Sequence, residues 1–219
     1  MNTFLKRAIW PILVIPPIYL LLSWNSVPEK IAMQFDLQGN PTRIGNKTEL
    51  LAMVFILMLV SLLTYLLLVN IYRIDPKKFA AENKDRLRRI AFAVVIFITA
   101  LQCLIIYSAV AGIMKLSMGV LFAGIGLLFA IIGNYMPNLK PNYFAGLRLP
   151  WTLENEDNWK KTHLLAGKLW FAGGLLLAVI CLFVPSKAAV IVFYSITAII
   201  VIIPCVYSFL LYRKQRSVN

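Results

Sequence analysis

"LLAMVFILMLVSLLTYLLLVNIY", residues 50–72, carries no charged side chain over 23 positions. At a rise of about 1.5 Å per residue, a helix of that length reaches about 35 Å and crosses a hydrocarbon core of about 30 Å. Five further apolar runs accompany it: Ala8 to Trp24, Ile90 to Met114, Leu116 to Met136, Leu164 to Val184 and Ala188 to Tyr212. The chain is 60% hydrophobic and 14% charged, with a mean hydropathy of +0.78, whereas soluble domains are typically about 45 to 50% apolar. None of the runs alternates polar with apolar residues as a lipid-facing barrel strand must, so helices are left as the way to satisfy the backbone in lipid. The sequence predicts an all-α integral membrane protein, a six-transmembrane-helix bundle. The first run is read as a kinked span and not as a cleaved leader. It ends in Leu22, Ser23 and Trp24 without a small-residue cleavage site, and Pro16 and Pro17 sit in its middle.

Charge orients the bundle. Counting each connection between the runs places 16 Lys and Arg on one side and five on the other, with Lys168 inside the fifth run. The positive side faces the cytoplasm, which predicts a multi-pass protein of the cell membrane with both termini inside, N-in and C-in. The largest basic stretch is "RIDPKKFAAENKDRLRRI", residues 73–90. With a net charge of +13, it suits the anionic inner leaflet of the lipid bilayer and calls for no direct nucleic-acid partner.

Between the first two runs, in "KIAMQFDLQGNPTRIGNK" (residues 30–47), Ile31, Met33, Phe35 and Leu37 alternate with polar residues, the period of a half-buried strand. Gly39 and Pro41 in the following Gln-Gly-Asn-Pro mark a turn. A short extracellular β-hairpin-like loop, residues 25–49, is expected to cover the outer mouth of the bundle, with Pro28, Phe35, Gly39 and Pro41 as its candidate contact residues.

The longest polar stretch, residues 137–163, lies between the fourth and fifth runs and holds His163, the one histidine of the chain. Pro137 and Pro141 end the helix, and Asn138 and Asn142 can satisfy the freed backbone groups. Gly146 permits positive φ, and the five-donor fork of Arg148 is expected to organise the loop by binding several carbonyls or a phosphate. Helix resumes near Thr152 or Asn155, either of which can cap it, with Glu154, Glu156 and Asp157 at the positive end of its dipole. Trp159, His163, Ala166 and Trp170 then recur on one face, which puts His163 near the headgroup level. Trp151 and Trp159 read as interfacial anchors. Cys103, Cys181 and Cys205 stand singly in apolar runs, so neither a disulfide framework nor a metal or cofactor site is expected. Gly119 with Ala123, Gly126 with Ala130, and Gly174 with Ala178 allow close helix packing, within one chain or between chains.

The order Pro141-Asn142, Gly146-Leu147-Arg148, Trp151-Thr152-Leu153, Trp159 and Thr162-His163 resembles the signature of the SdpI family of bacterial membrane proteins. The outer loop, through Val27-Pro28, Phe35, Gly39, Pro41, Gly45 and Lys47, is similar to the uncharacterised domain that often precedes it, and Ile74-Asp75-Pro76-Lys77 resembles the motif after that domain's second span. One departure stands out: Gln34-Phe35-Asp36 occupies the place where such proteins usually read His-Phe-Asn or His-Trp-Asn. The resemblance implies a two-span domain over residues 1–76, a basic cytoplasmic linker over 77–89, and a four-span domain over 90–219 whose motif loop is 137–163. It also implies immunity to, or sensing of, a secreted membrane-active antimicrobial peptide, with a cytosolic repressor protein held at the membrane, and no enzymatic activity.

Two other classes fit less well. A secondary transporter would want paired ionisable residues within its spans, and apart from Lys168 the runs contain no charged residue. A membrane-embedded enzyme would want convergent catalytic groups; Asp157 and His163 are near in sequence, but no nucleophile, metal cluster or phosphate-cradling loop accompanies them.

Overall fold

The structure, a computed structural model, describes residues 3–76, 80–113 and 117–216. It is mostly helical, with one hairpin. Helix α1 (Thr3–Leu22) is followed by strands β1 (Lys30–Phe35) and β2 (Pro41–Asn46), then by α2 (Lys47–Ile74), α3 (Lys84–Val110), α4 (Met118–Tyr135), the short α5 (Pro150–Glu154), α6 (Glu156–Phe183) and α7 (Ser186–Arg216). Helices α2, α3, α4, α6 and α7 are long and apolar enough to cross a membrane. The apolar part of α1, Arg7–Leu22, is shorter. At about 1.5 Å per residue it reaches about 24 Å, less than a typical hydrocarbon core.

Local chemistry sets the helix ends. The Asn46 side chain accepts the Glu49 N–H at 3.0 Å while the Glu49 carboxylate accepts the Asn46 N–H at 3.3 Å, a capping box that starts α2. Asp75 ends α2 in an extended conformation because Pro76 follows it. Asn155 caps α6 through the Asn158 N–H, with Glu156 and Asp157 in the first turn. Helix α3 begins at Lys84, inside the stretch read from sequence as linker.

Two packed groups result. In the first, α1, α2 and α3 enclose Ile9, Leu13, Tyr65, Ala91 and Val95 near one end, and Leu20, Leu50, Val54 and Ile106 near the other. In the second, α4 and α6 lie so close that glycine is required at the contact. A methyl group on Gly126 would press on the Gly174 carbonyl and the Ala178 amide, and one on Gly133 would press on the Phe171 amide. The small-residue spacings therefore serve contacts within the chain, the alternative that the sequence left open. Helix α7 closes this group, its Phe193 stacked on Phe122 at 4.3 Å.

Prolines inside helices leave carbonyls without a donor, and at Pro16 and Pro204 a side chain from a neighbouring helix supplies one. Pro204 deprives the Ile200 carbonyl of its partner, and Trp170 Nε1–H donates to that oxygen at 3.1 Å. Pro16 does the same to Ile12, whose carbonyl accepts the Thr99 hydroxyl at 3.5 Å. Helix α1 runs without interruption through Pro11, Pro16 and Pro17.

The expected hairpin is present, with β1 and β2 antiparallel and irregular on both sides of Gln34. Asp36 organises its turn. One carboxylate oxygen accepts the main-chain N–H of Gln38 and of Asn40 at 2.9 and 2.8 Å, and the other accepts the Asn40 side chain at 2.9 Å. Those bonds, the Asn40 side chain first, hold the Asp36 carboxyl below the usual carboxylate range. Gly39 takes φ +82 in this turn, between Phe35 and Pro41, which face one another in the register. Ile31 is buried with Met33 packed beside it against α1, α2 and α3, and Phe35 reaches the cluster of α4, α6 and α7. Leu37 departs from the expected pattern: the strand stops at Phe35, and Leu37 lies exposed in the turn.

Candidate functional site

At the end opposite the hairpin, residues 136–163 fold into an ordered platform. It begins with a tight 3₁₀ turn, Met136–Asn138. The buried Leu139 side chain seals against Ile71 and Leu87, and its carbonyl accepts Trp159 Nε1–H at 2.7 Å.

Asn142 is fully buried and uses all of its hydrogen-bonding capacity inside the loop. Its amide nitrogen donates to the carbonyls of Lys140 and Ala145 at 2.9 and 3.1 Å, and its oxygen accepts the N–H groups of Phe144 and Ala145 at 3.0 and 2.7 Å. A polar side chain can be buried at low cost only when it is satisfied in this way.

His163 supports the other side. Its ring lies on Trp159, with centroids 3.9 Å apart and planes 17° apart. Nδ1 lies 2.9 Å from the Trp159 carbonyl, and Nε2 accepts the Leu147 N–H at 3.1 Å. A carbonyl on one nitrogen and an N–H on the other select the neutral tautomer with its proton on Nδ1. Gly146, at φ +102, passes the Nε2 edge of the ring so closely that a methyl group there would collide with Nε2. The histidine expected at the headgroup level is thus fully buried, because the loop folds back across it.

Thr152 closes the turn into α5. Its hydroxyl accepts the Leu149 N–H at 3.0 Å and lies 2.9 Å from the carbonyls of both Leu147 and Leu149, to one of which it donates. Trp151 Nε1–H donates to Ser208 Oγ at 2.6 Å, and the indole packs on Phe209 and Tyr212 of α7. Beneath it, the buried Asn158 donates to the Ser208 carbonyl at 3.0 Å and accepts the Thr162 hydroxyl at 3.0 Å.

Of the sequence candidates, Asn142, Gly146, Thr152, Trp159 and His163 come together in this network, and Trp151 ties it to α7. Trp159 is buried in the platform, away from the interfacial anchoring position expected of it. Asn138 is exposed at the end of its turn. Arg148 lies on the rim and donates one hydrogen bond, Nη1–H to the Tyr143 carbonyl at 2.8 Å; the centre, where a clamping fork was expected, belongs to uncharged side chains. The outer candidates are at the other end of the molecule: Phe35, Gly39 and Pro41 in the hairpin and Pro28 exposed just before it.

Sequence reading missed two residues that bolt the platform to the first helix group. Asn83 pairs with the main chain of Lys140, accepting its N–H at 2.9 Å and donating to its carbonyl at 3.1 Å. Asp75 accepts the Tyr143 N–H at 3.0 Å. Only Asp75 lay in a recognisable motif, Ile74-Asp75-Pro76-Lys77. Asn158 and Ser208 were missed as well; the one visible signal was the Asn158, Thr162 spacing on a single helix face.

Chemically the network is closed on itself, since its buried donors and acceptors serve its own backbone, one another and Ser208 of α7. No cluster of potential metal ligands occurs among the described residues. The outward groups are those of the rim, Tyr143 and Arg148, and of a cavity of about 390 Å³ lined by Trp151, Glu154, Asn155, Tyr212, Gln215 and Arg216. Such an arrangement can present a rigid surface.

Residues 138–208, which span this platform, match the SdpI/YfhL protein family. The motif region is of the SdpI type. Residues 12–59, from within α1 through the hairpin into α2, match a domain of unknown function (DUF1648). The chain is also similar to the immunity protein SdpI of Bacillus subtilis (strain 168), 25% identical over 215 residues, which cover 96% of this chain and 98% of that protein. No solved structure matches it. The SdpI similarity and the apolar helices together mark a multi-pass membrane protein.

Proposed function

We propose that this protein gives a bacterium immunity to a secreted membrane-active antimicrobial peptide. The observation that carries the reading is the extent of the similarity to the Bacillus subtilis immunity protein, which runs through both ends of the fold. The geometry agrees with it. In this reading the ordered hairpin that caps one end of the bundle meets a peptide arriving from outside, and the rigid platform at the other end holds a cytosolic repressor protein.

In this reading α1 is a sixth crossing despite its short apolar part. Ile9 near its start packs with Ala91 near the start of α3, and Leu20 near its end packs with Ile106, so α1 runs from the platform end to the hairpin end. The end of α7 also lies at the platform, where Gln215 donates to Asp157 at 3.2 Å. Chain ends on one side need an even number of crossings, and the basic side of the charge bias is the platform side, giving N-in and C-in. Survival of sensitive cells challenged with the killing peptide, with and without this chain in their membrane, tests the proposal.

A further inference from the structure

The connection between α2 and α3 gathers positive charge in a way that packing does not require. The Tyr72 hydroxyl accepts Arg73 Nε–H at 3.0 Å, and Lys84, from the start of α3, holds its ammonium 4.5 Å from the centroid of the same ring. The Arg73 guanidinium carbon is 5.5 Å from that centroid. Two helices thus bring two cations onto one phenol. The ring offsets part of their repulsion, but nearby carboxylates are turned to other groups: Glu82 lies 4.0 Å from Lys140, Asp85 lies 3.6 Å from Arg88, and Asp75 accepts the Tyr143 amide. Neither Arg73 nor Lys84 has a carboxylate partner among the described residues. One turn along the Lys84 face of α3, the Arg88 side chain is 14% exposed, and its buried Nε–H finds no acceptor among the described residues.

Position names the anion. Tyr72 ends the apolar run of α2, so the group lies at headgroup depth, and the exposed apolar surface of α2 at Leu66 and Leu67 continues into the bilayer beside it. We propose that Tyr72, Arg73, Lys84 and Arg88 form a binding site for the phosphate of one anionic phospholipid, with the acyl chains along that surface. A phosphate offers several acceptor oxygens to guanidinium and ammonium donors at once. An acidic protein segment would need none of the adjoining apolar surface. The site does not depend on which peptide the protein counters.

Native mass spectrometry of the purified full chain, with cardiolipin as the probe and phosphatidylcholine as the neutral comparison, tests this. The expected result is one retained cardiolipin, little affected by inorganic phosphate in excess. Arg73→Gln with Lys84→Gln should lower retention about tenfold or more, since each basic side chain at an anionic surface is worth about a factor of five. Arg213→Gln with Lys214→Gln, the same loss of charge on the tail, should leave retention unchanged, and Lys84→Arg should preserve it. Equal losses in the two double variants would reduce the effect to net charge and overturn the proposal. So would displacement by inorganic phosphate, which would mark a free-anion site, or retention unaffected by Arg73→Gln with Lys84→Gln.

Discussion

The imidazole of His163 lies flat against the indole of Trp159, 3.9 Å between centroids, while its Nε2 accepts the Leu147 N–H at 3.1 Å. Stacking fixes the plane of the ring and the hydrogen bond fixes its rotation, so the loop over it has one position. Replacing His163 by Phe keeps the stack and leaves the partly buried Leu147 N–H without an acceptor. Thermal unfolding in detergent should show a loss of about 1 to 3 kcal/mol. Gly146→Ala should cost at least as much, because it adds a collision with Nε2 to a positive φ whose strain is about 1 to 3 kcal/mol.

The pairing of Trp170 with Pro204 predicts a coupling that can be measured. Trp170→Phe leaves the Ile200 carbonyl without its donor and should destabilise by about 1 kcal/mol. In a Pro204→Ala background the restored main-chain N–H can take that carbonyl, so the same change should cost less. Equal costs in both backgrounds would show that the indole bond is not compensating for the proline.

How far the chain could be read without coordinates depended on the range of the interactions. The apolar runs and the hairpin were legible because period and length are local. The outlying Leu37 was misjudged because strand alternation was carried past Phe35 into a turn that Asp36 controls. In the motif, Asn142 and Gly146 were recognisable from turn chemistry. The central place of His163 was not, since it depends on Leu147 folding back over a helix that starts later in the chain. Asn83 and Asn158 act on partners about fifty residues or more away, and no local pattern announces such contacts.

Arg148 shows the same limit. Sequence favoured a guanidinium that clamps several carbonyls; the structure gives it one hydrogen bond on the exposed rim. Arg148→Ala should therefore cost no more than about 1 kcal/mol in unfolding measurements, and Arg148→Lys should be close to wild type. If Arg148→Lys instead lost protection while remaining stable, the fork would be contacting a partner outside the chain.

The charge bias and the shared end of α1 and α7 predict which residues face the cytosol. In intact cells, Asn40→Cys in the hairpin should react with a membrane-impermeant thiol reagent, and Lys160→Cys beside the platform should react only after lysis. The reverse pattern would invert the topology.

The central claim is protection. Sensitive cells producing this protein, with membrane insertion confirmed by fractionation, should survive doses of a secreted membrane-active antimicrobial peptide that kill cells carrying an empty vector. Cells producing the Gly146→Ala variant should lie between the two, in proportion to how much folded protein remains in the membrane. Identical dose–survival curves for wild-type protein and empty vector, at comparable levels of inserted protein, would contradict the account.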